Sequence, residues 1–211
     1  MRTPVLSALL ASILLLAACR AGEEPTEATD QPANLPRAGA DSAEANDEAR
    51  VIAAGEAAAA ALTGELMGRV SAAIARGGPA YAIEFCSEEA LPVTSEVARE
   101  LGVEIKRTSS RVRNPQNAPD ADEQAALAYF EGELAAGNPL PQHLIRRVDG
   151  EARYYRPIVV AELCTTCHGP RDALDPAVRD ALAARYPDDR ATGYAPGDFR
   201  GVIRVSVQAE R

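Results

Sequence analysis

The stretch Cys164-Thr165-Thr166-Cys167-His168 constrains the fold of this 211-residue chain more than any other. Two thiols separated by two residues, followed at once by an imidazole, form the attachment signature of a c-type haem. In that chemistry two thioethers fix the porphyrin edge, and the next residue's imidazole reaches the iron from one face. The fold then has to enclose a flat group beside these five residues. Two rival uses exist. A thioredoxin-like CxxC opens a helix after a strand in a βαβ setting that is missing here. A zinc site would draw on Cys86, Cys164, Cys167 and His168 as a Cys₃His set. Adjacent Cys167 and His168 rarely turn toward one metal together, and such thiols would have to stay reduced outside the cytoplasm. Covalent haem is the favoured reading, with zinc or a disulfide behind it.

The compartment follows from the N-terminus. Arg2 precedes the apolar run 5–18, which is too short for a comfortable membrane span and reads as a signal segment. Leu16-Ala17-Ala18-Cys19 resembles a bacterial lipobox, in which the Cys is lipidated and becomes the first mature residue. A plain signal peptide or uncleaved anchor is the blander alternative. Residues 19–45 are acidic, Pro/Gly-rich and nearly free of large apolar groups, so they are expected to be a disordered tether with a reach of roughly 25–30 Å. Residues 46–211 are left as the folded domain. The chain carries 31 acidic against 22 basic residues, a net −9, and no basic run to neutralise phosphates, which argues against a nucleic-acid partner.

Cysteine arithmetic leaves one thiol over. Cys19 is assigned to lipid, Cys164 and Cys167 to thioethers, and Cys86 has no partner. The iron's second axial ligand also lacks an assignment. Lys106, the only lysine, sits on a predicted strand. Met67 lies on an apolar helix stripe, where methionine usually fills a core. His143 opens a predicted strand beside Pro141 and reads as an edge residue. Cys86 shares an apolar helix face with Ala82 and Phe85. The residues alone leave it between an inert buried thiol and a ligand.

Periodicity supplies the elements. A helix is expected from about Asp41, with Glu44 completing a capping-box-like start. Leu62, Leu66, Val70, Ala73 and Ile74 form its buried stripe, and Gly77-Gly78-Pro79 stops it. Gly55, Gly64 and Gly68 weaken it. Such a helix could pair two subunits, though packing within its own domain is the more ordinary reading. Two further helices follow, the second starting at Pro92 and ending at Gly102. A strand over 103–110, an irregular RNPQNAPD loop and a helix over 121–137 come next. Asp149-Gly150 between two β-prone runs signals a hairpin. A short helix after the CxxCH motif, a long loop over 187–201 and a last strand, VIRVSVQ, complete the chain. Helices early and strands late predict an α+β fold with a small antiparallel sheet.

Three segments together resemble a bacterial haem c domain family with a PAS-like fold and His/Cys axial ligation. They are FCS (85–87), RTSSRVRNPQNAPD (107–120), and PIVVAELCTTCHG with YPDDRATGYAPGDFRG (157–169 and 186–201). The resemblance covers roughly residues 45–208. It implies a PAS-like sheet flanked by helices, His168 as the proximal ligand and Cys86 as the distal one. Ser110 and Asp122 depart from it, standing where an aliphatic and an aromatic residue are expected.

Physical consequences follow from that ligand set. A thiolate favours Fe(III), so the potential should lie below that of His/Met cytochromes c. Loss of Cys86 on reduction would open a site for CO, NO or O₂. Arg107, Arg111, Arg113 and Asn114 crowd one strand end and loop, where guanidinium forks suit the two haem propionates; solvent-exposed arginines are the alternative. Tyr154, Tyr155 and Tyr194 are candidates for the haem edge or for ordinary sheet packing, and the 187–201 loop for a cover over the haem. The expected function is that of a lipid-anchored monohaem c-type cytochrome of the bacterial envelope, in one-electron transfer or redox sensing. A gas-sensor subunit and a structural lipoprotein without haem are the alternatives. No acid–base pair points to catalysis. No kinase, cyclase or DNA-binding segment is seen, so a separate redox or signalling protein is the expected partner.

Overall fold

Gly77-Gly78-Pro79 stops the first run of helix, as its turn chemistry predicts, but helical structure resumes at once. In the computed structural model, which describes residues 38–208, helix α1 (Ala38–Leu101) contains one non-helical residue, Gly78, at φ 79° and ψ 179°. That conformation is open to glycine at no steric cost, and Pro79 opens the second arm, where its missing N–H is not needed. The chain folds back there. Arg69 and Glu96 meet at 3.3 Å across the two arms, although 27 residues of straight helix would hold them ~40 Å apart.

Several boundaries differ from the sequence reading by a few residues, and two differences change an element. Residues 79–101 form one arm that runs through Pro92, instead of two helices. Pro92 is exposed, while Ala90, Val93, Thr94 and Val97 are buried, and their burial outweighs the single backbone bond the ring removes. Helix α1 also begins at Ala38, so residues 38–45, read as the end of the tether, are helical. Asp47 helps hold this end in place by pairing with Arg50 and with Arg147 on the sheet. Cys19, the signal segment and the tether up to residue 37 lie outside the described residues.

The sheet has four antiparallel strands in the order β1-β4-β3-β2: β1 (Glu104–Thr108), β2 (Leu144–Val148), β3 (Glu151–Val159) and β4 (Phe199–Gln208). Asp149 (φ 51°) and Gly150 (φ 83°) close the β2–β3 hairpin, both in the positive-φ conformation such two-residue turns demand. Side chains alternate between faces. Ile105, Ala152, Tyr154, Ile203, Val205 and Val207 meet both arms of α1. Tyr155 and Val202 point the other way, onto Ala126, Leu127 and Phe130 of helix α2 (Ala121–Ala135). Helix, sheet and helix are thus layered, and the fold is α+β.

Helix α2 is tied down by charge. Asp120 and Glu123 form its capping box. The fully buried Glu123 pairs with Lys106 of β1 (2.6 Å) and Arg204 of β4 (3.0 Å). Asp122, where the resemblance suggested an aromatic, accepts a bond from the Tyr155 hydroxyl (2.6 Å) and pairs with Arg146 (2.5 Å). A carboxylate there docks the helix on arginine-bearing strands, a job an aromatic could do only by packing.

Gly55 has a packing role that its low helix propensity hides. A Cβ at Gly55 would lie 2.2 Å from the Tyr154 ring, whereas one at Gly64 would meet nothing within 4 Å. Gly55→Ala is therefore expected to lower stability by about 1–3 kcal/mol through overpacking. Gly64→Ala should raise it by up to ~1 kcal/mol, because alanine costs the unfolded chain less entropy. Denaturation midpoints of the two variants, side by side, check the contrast.

Candidate functional site

The two arms of α1 do more than cover the sheet: near the bend they diverge around a cavity of about 300 Å³. Leu62, Leu66, Met67, Val70 and Ile74 supply one wall from the first arm, and Ala82, Ile83, Phe85, Cys86 and Ala90 supply another from the second. Ile158, Ile203 and Arg107 form the floor on the sheet. Cys164, Cys167 and His168 close the remaining side, with the loop after β1 contributing Ser109, Val112, Arg113 and Asn114. Met67, Val159 and Leu163 are exposed, so they mark its rim.

The motif is presented by one turn of helix, α3 (Thr165–His168), following a 3₁₀ turn over Glu162–Cys164. Helical spacing puts Cys164, Cys167 and His168 on one side of this turn, and Cys167 also packs against helix α4 (Pro176–Arg185) and Ile83 of α1. His168 Nδ1 lies 2.7 Å from the Ala191 carbonyl, which can only accept, so Nδ1 carries the proton and Nε2 keeps its lone pair. Burial, reinforced by the positive charges of Arg113 and Arg200, pushes the His168 pKa down to about 3. The imidazole is neutral at any physiological pH, the form a metal needs. Burial raises the pKa of the Cys86 thiol, while Arg107 and Arg113 pull it back toward the thiolate.

Arg113 is the bolt of the site. Its guanidinium donates to both oxygens of Asp189 (3.1 and 3.2 Å), to the Cys167 carbonyl (2.6 Å) and to the Ala191 carbonyl (3.2 Å). One side chain thus joins the loop after β1, the CxxCH turn and the 187–201 loop. That loop was a candidate cover for the cavity. Instead it braces the motif from behind: Gly193 N–H donates to Gly169 O (2.7 Å) and Tyr194 N–H to His168 O (2.9 Å). The Tyr194 ring stands edge-on to His168, with centroids 6.4 Å apart.

Residues 37–208 match the Tll0287-like family. The chain belongs to that family. A crystal structure of the cyanobacterial heme-protein Tll0287 superposes with a TM-score of 0.55 at 24% identity, covering 79% of this chain and 97% of the other. At that identity the likeness is one of fold. No curated protein matches the sequence.

In this Tll0287-like chain the sequence candidates sort cleanly by position. Cys164, Cys167, His168, Cys86, Arg107, Arg113 and Asn114 all line the cavity, and Met67 joins them at the rim. Arg111 does not line it: its guanidinium lies 4.0 Å over the Tyr194 ring, beside a smaller hollow. Lys106 points to the opposite sheet face, where Glu123 holds it. His143 stacks on Tyr154 (5.4 Å), away from the cavity, and Tyr154 and Tyr155 are sheet-packing residues. Among the described residues, no three His, Cys, Asp or Glu side chains converge as a metal-binding group, so the Cys₃His zinc set is not assembled. Cys86, Cys164 and Cys167 are unbridged thiols.

Arg200 was missed. It lines the cavity from the start of β4, and its only sequence signal was its place in the GDFRG segment. Asp189 and Ala191 were missed for a plainer reason, since nothing local to a loop reveals which distant side chain it will anchor.

The cavity's lining fits a largely apolar group with a hydrogen-bond acceptor near Arg107. Its walls are hydrocarbon, an imidazole lone pair and three thiols border it, and the buried Arg107 Nε has no hydrogen-bond partner. An orphaned guanidinium nitrogen is costly unless a ligand supplies the acceptor.

Proposed function

We propose that this chain is a monohaem c-type protein of the bacterial cell envelope, working by one-electron transfer or redox sensing. In this reading Cys164 and Cys167 form the thioethers, His168 is the proximal axial ligand and Cys86 the distal one. The supporting observation is the convergence of Cys86, from the far arm of α1, with the CxxCH turn on a single apolar cavity. Of the other distal candidates only Met67 shares that cavity, and it sits at the exposed rim.

The chain's own groups account for the chemistry asked of them. His168 offers Nε2 because Ala191 holds its other nitrogen protonated. Cys86 has to shed a proton to ligate; burial raises its pKa against this, and the nearby Arg107 and Arg113 charges offset part of that cost. The apolar arms of α1 line the cavity beside this pair and lower the polarity around it, which strengthens the electrostatic terms. A thiolate- and imidazole-ligated haem iron supplies a one-electron couple of low potential. Cys19, at the lipobox, would tether the domain to a membrane facing the periplasm, and a separate redox or signalling protein would receive the electron or the signal.

The test is a pyridine-haemochrome assay on the full chain produced with c-type cytochrome maturation. The expected result is a thioether-type α band at one haem per chain. A protein that folds but lacks that band would overturn the reading.

A further inference from the structure

Two arginines line the cavity without a carboxylate of their own, and Arg200 also borders the smaller hollow beside Tyr194. Arg107, on β1, reaches only the Ala90 carbonyl at 3.5 Å, and its Nε is buried and unpartnered. Arg200, at the start of β4, donates to the Arg111 carbonyl (3.2 Å), lies 5.3 Å from the Tyr194 ring centroid and also hydrogen-bonds the Tyr194 side chain. Among the described residues neither arginine has an ion-pair partner. Their neighbours are placed otherwise: Arg113 is balanced by the buried Asp189 side chain, and Arg111 shares the Tyr194 ring with Arg200 but does not line the cavity.

We propose that Arg107 and Arg200 form the anionic subsite of this cavity, each binding one haem propionate, and that Arg111 and Arg113 do not. This rests on the haem reading above. The charge balance supports it. With a neutral imidazole and a thiolate as axial ligands, the ferric centre and its porphyrin dianion carry no net charge. The two propionates are then the only uncompensated charges the ligand brings, and Arg107 and Arg200 are the cavity cations that lack a counterion. Both arginines are half-buried, a desolvated guanidinium is costly without acceptors, and its fork matches a carboxylate.

The backbone is built to hold the pair. Arg107 faces Ile203 across the β1–β4 ladder, three residues from Arg200. Gly201 (φ 145°) lets β4 press against β1, since a Cβ there would lie 2.2 Å from the Thr108 carbonyl. The Ser109 hydroxyl donates to the Arg200 carbonyl (2.6 Å) and accepts from the Arg111 N–H (3.1 Å), fixing where both side chains depart.

The experiment uses the haem-loaded full chain, with resonance Raman spectra and reduction midpoints for Arg107→Gln, Arg200→Gln and Arg111→Gln. Arg107→Gln and Arg200→Gln are each expected to shift the propionate-bending bands and lower the midpoint, because a cation opposing the ferric state is removed. Arg200→Lys should recover most of the midpoint, and Arg111→Gln should change neither readout. If Arg107→Gln fails to fold, Arg107→Lys, which keeps the charge but loses the fork, should still move the bands. Unmoved bands in Arg200→Gln would overturn the proposal. So would an Arg107 variant that alters only the iron–sulfur band, which would assign that cation to Cys86. A haemochrome at one haem per chain in every variant separates failure of this subsite from failure of the haem reading itself.

Discussion

Cys86→Ala is expected to abolish the low-spin thiolate spectrum of the oxidised protein and to raise its midpoint potential by on the order of 100 mV or more. Axial-ligand identity alone moves haem potentials across about 0.8 V, and an anionic sulfur favours the ferric state. Cys86 projects from the arm after the Gly78 bend, and alanine there keeps the helix while removing the donor. Met67→Leu is the matched control, because Met67 shares the cavity and also carries sulfur. It should leave spectrum and midpoint essentially unchanged. If Met67→Leu changes the spectrum and Cys86→Ala does not, the distal assignment belongs to Met67.

The largest stability loss is expected at Arg113→Ala, about 3–5 kcal/mol. The Asp189 side chain is 1% exposed, and removing the guanidinium leaves its charge without a counterion, held by the Ala191 N–H, and takes the side-chain donor from the Cys167 carbonyl. The loss should reach the site as well, because the same side chain holds the Cys167 carbonyl and the Ala191 carbonyl that orients His168. A double-mutant cycle with Asp189→Asn checks this by chemical denaturation. Asp189→Asn on the Arg113→Ala background should cost far less than it does alone, since the buried charge is then gone. Additive losses would mean that the two side chains act independently.

Much of the fold was legible along the chain because its signals are local. Asp149-Gly150 announced the hairpin through the φ values it alone permits cheaply, and both residues adopt them. Gly77-Gly78-Pro79 announced a stop. Pro92 announced one too and misled, since whether a helix survives a proline depends on how much its other faces bury. Asp122 and Gly55 could not be read at all: one meets Tyr155 and Arg146, the other Tyr154, and these partners are fixed by sheet register. The arginines show the same limit. Arg107, Arg111 and Arg113 are close in sequence, yet one faces the cavity unpaired, one lies on Tyr194 and one is locked to Asp189.

The sequence by itself determined that Cys164, Cys167 and His168 stand together, because C-x-x-C-H spacing puts two thiols and an imidazole on one side of a single helical turn. It also determined the α+β class, through periodicity that switches from helix to strand along the chain. Only the tertiary structure decided what faces that turn. A bend at Gly78 brings Cys86 to the cavity, and the β1–β4 ladder brings Arg107 and Arg200 there. Such contacts depend on chain reversal and strand register, which are settled by burial summed over the whole domain and not by any local run of residues.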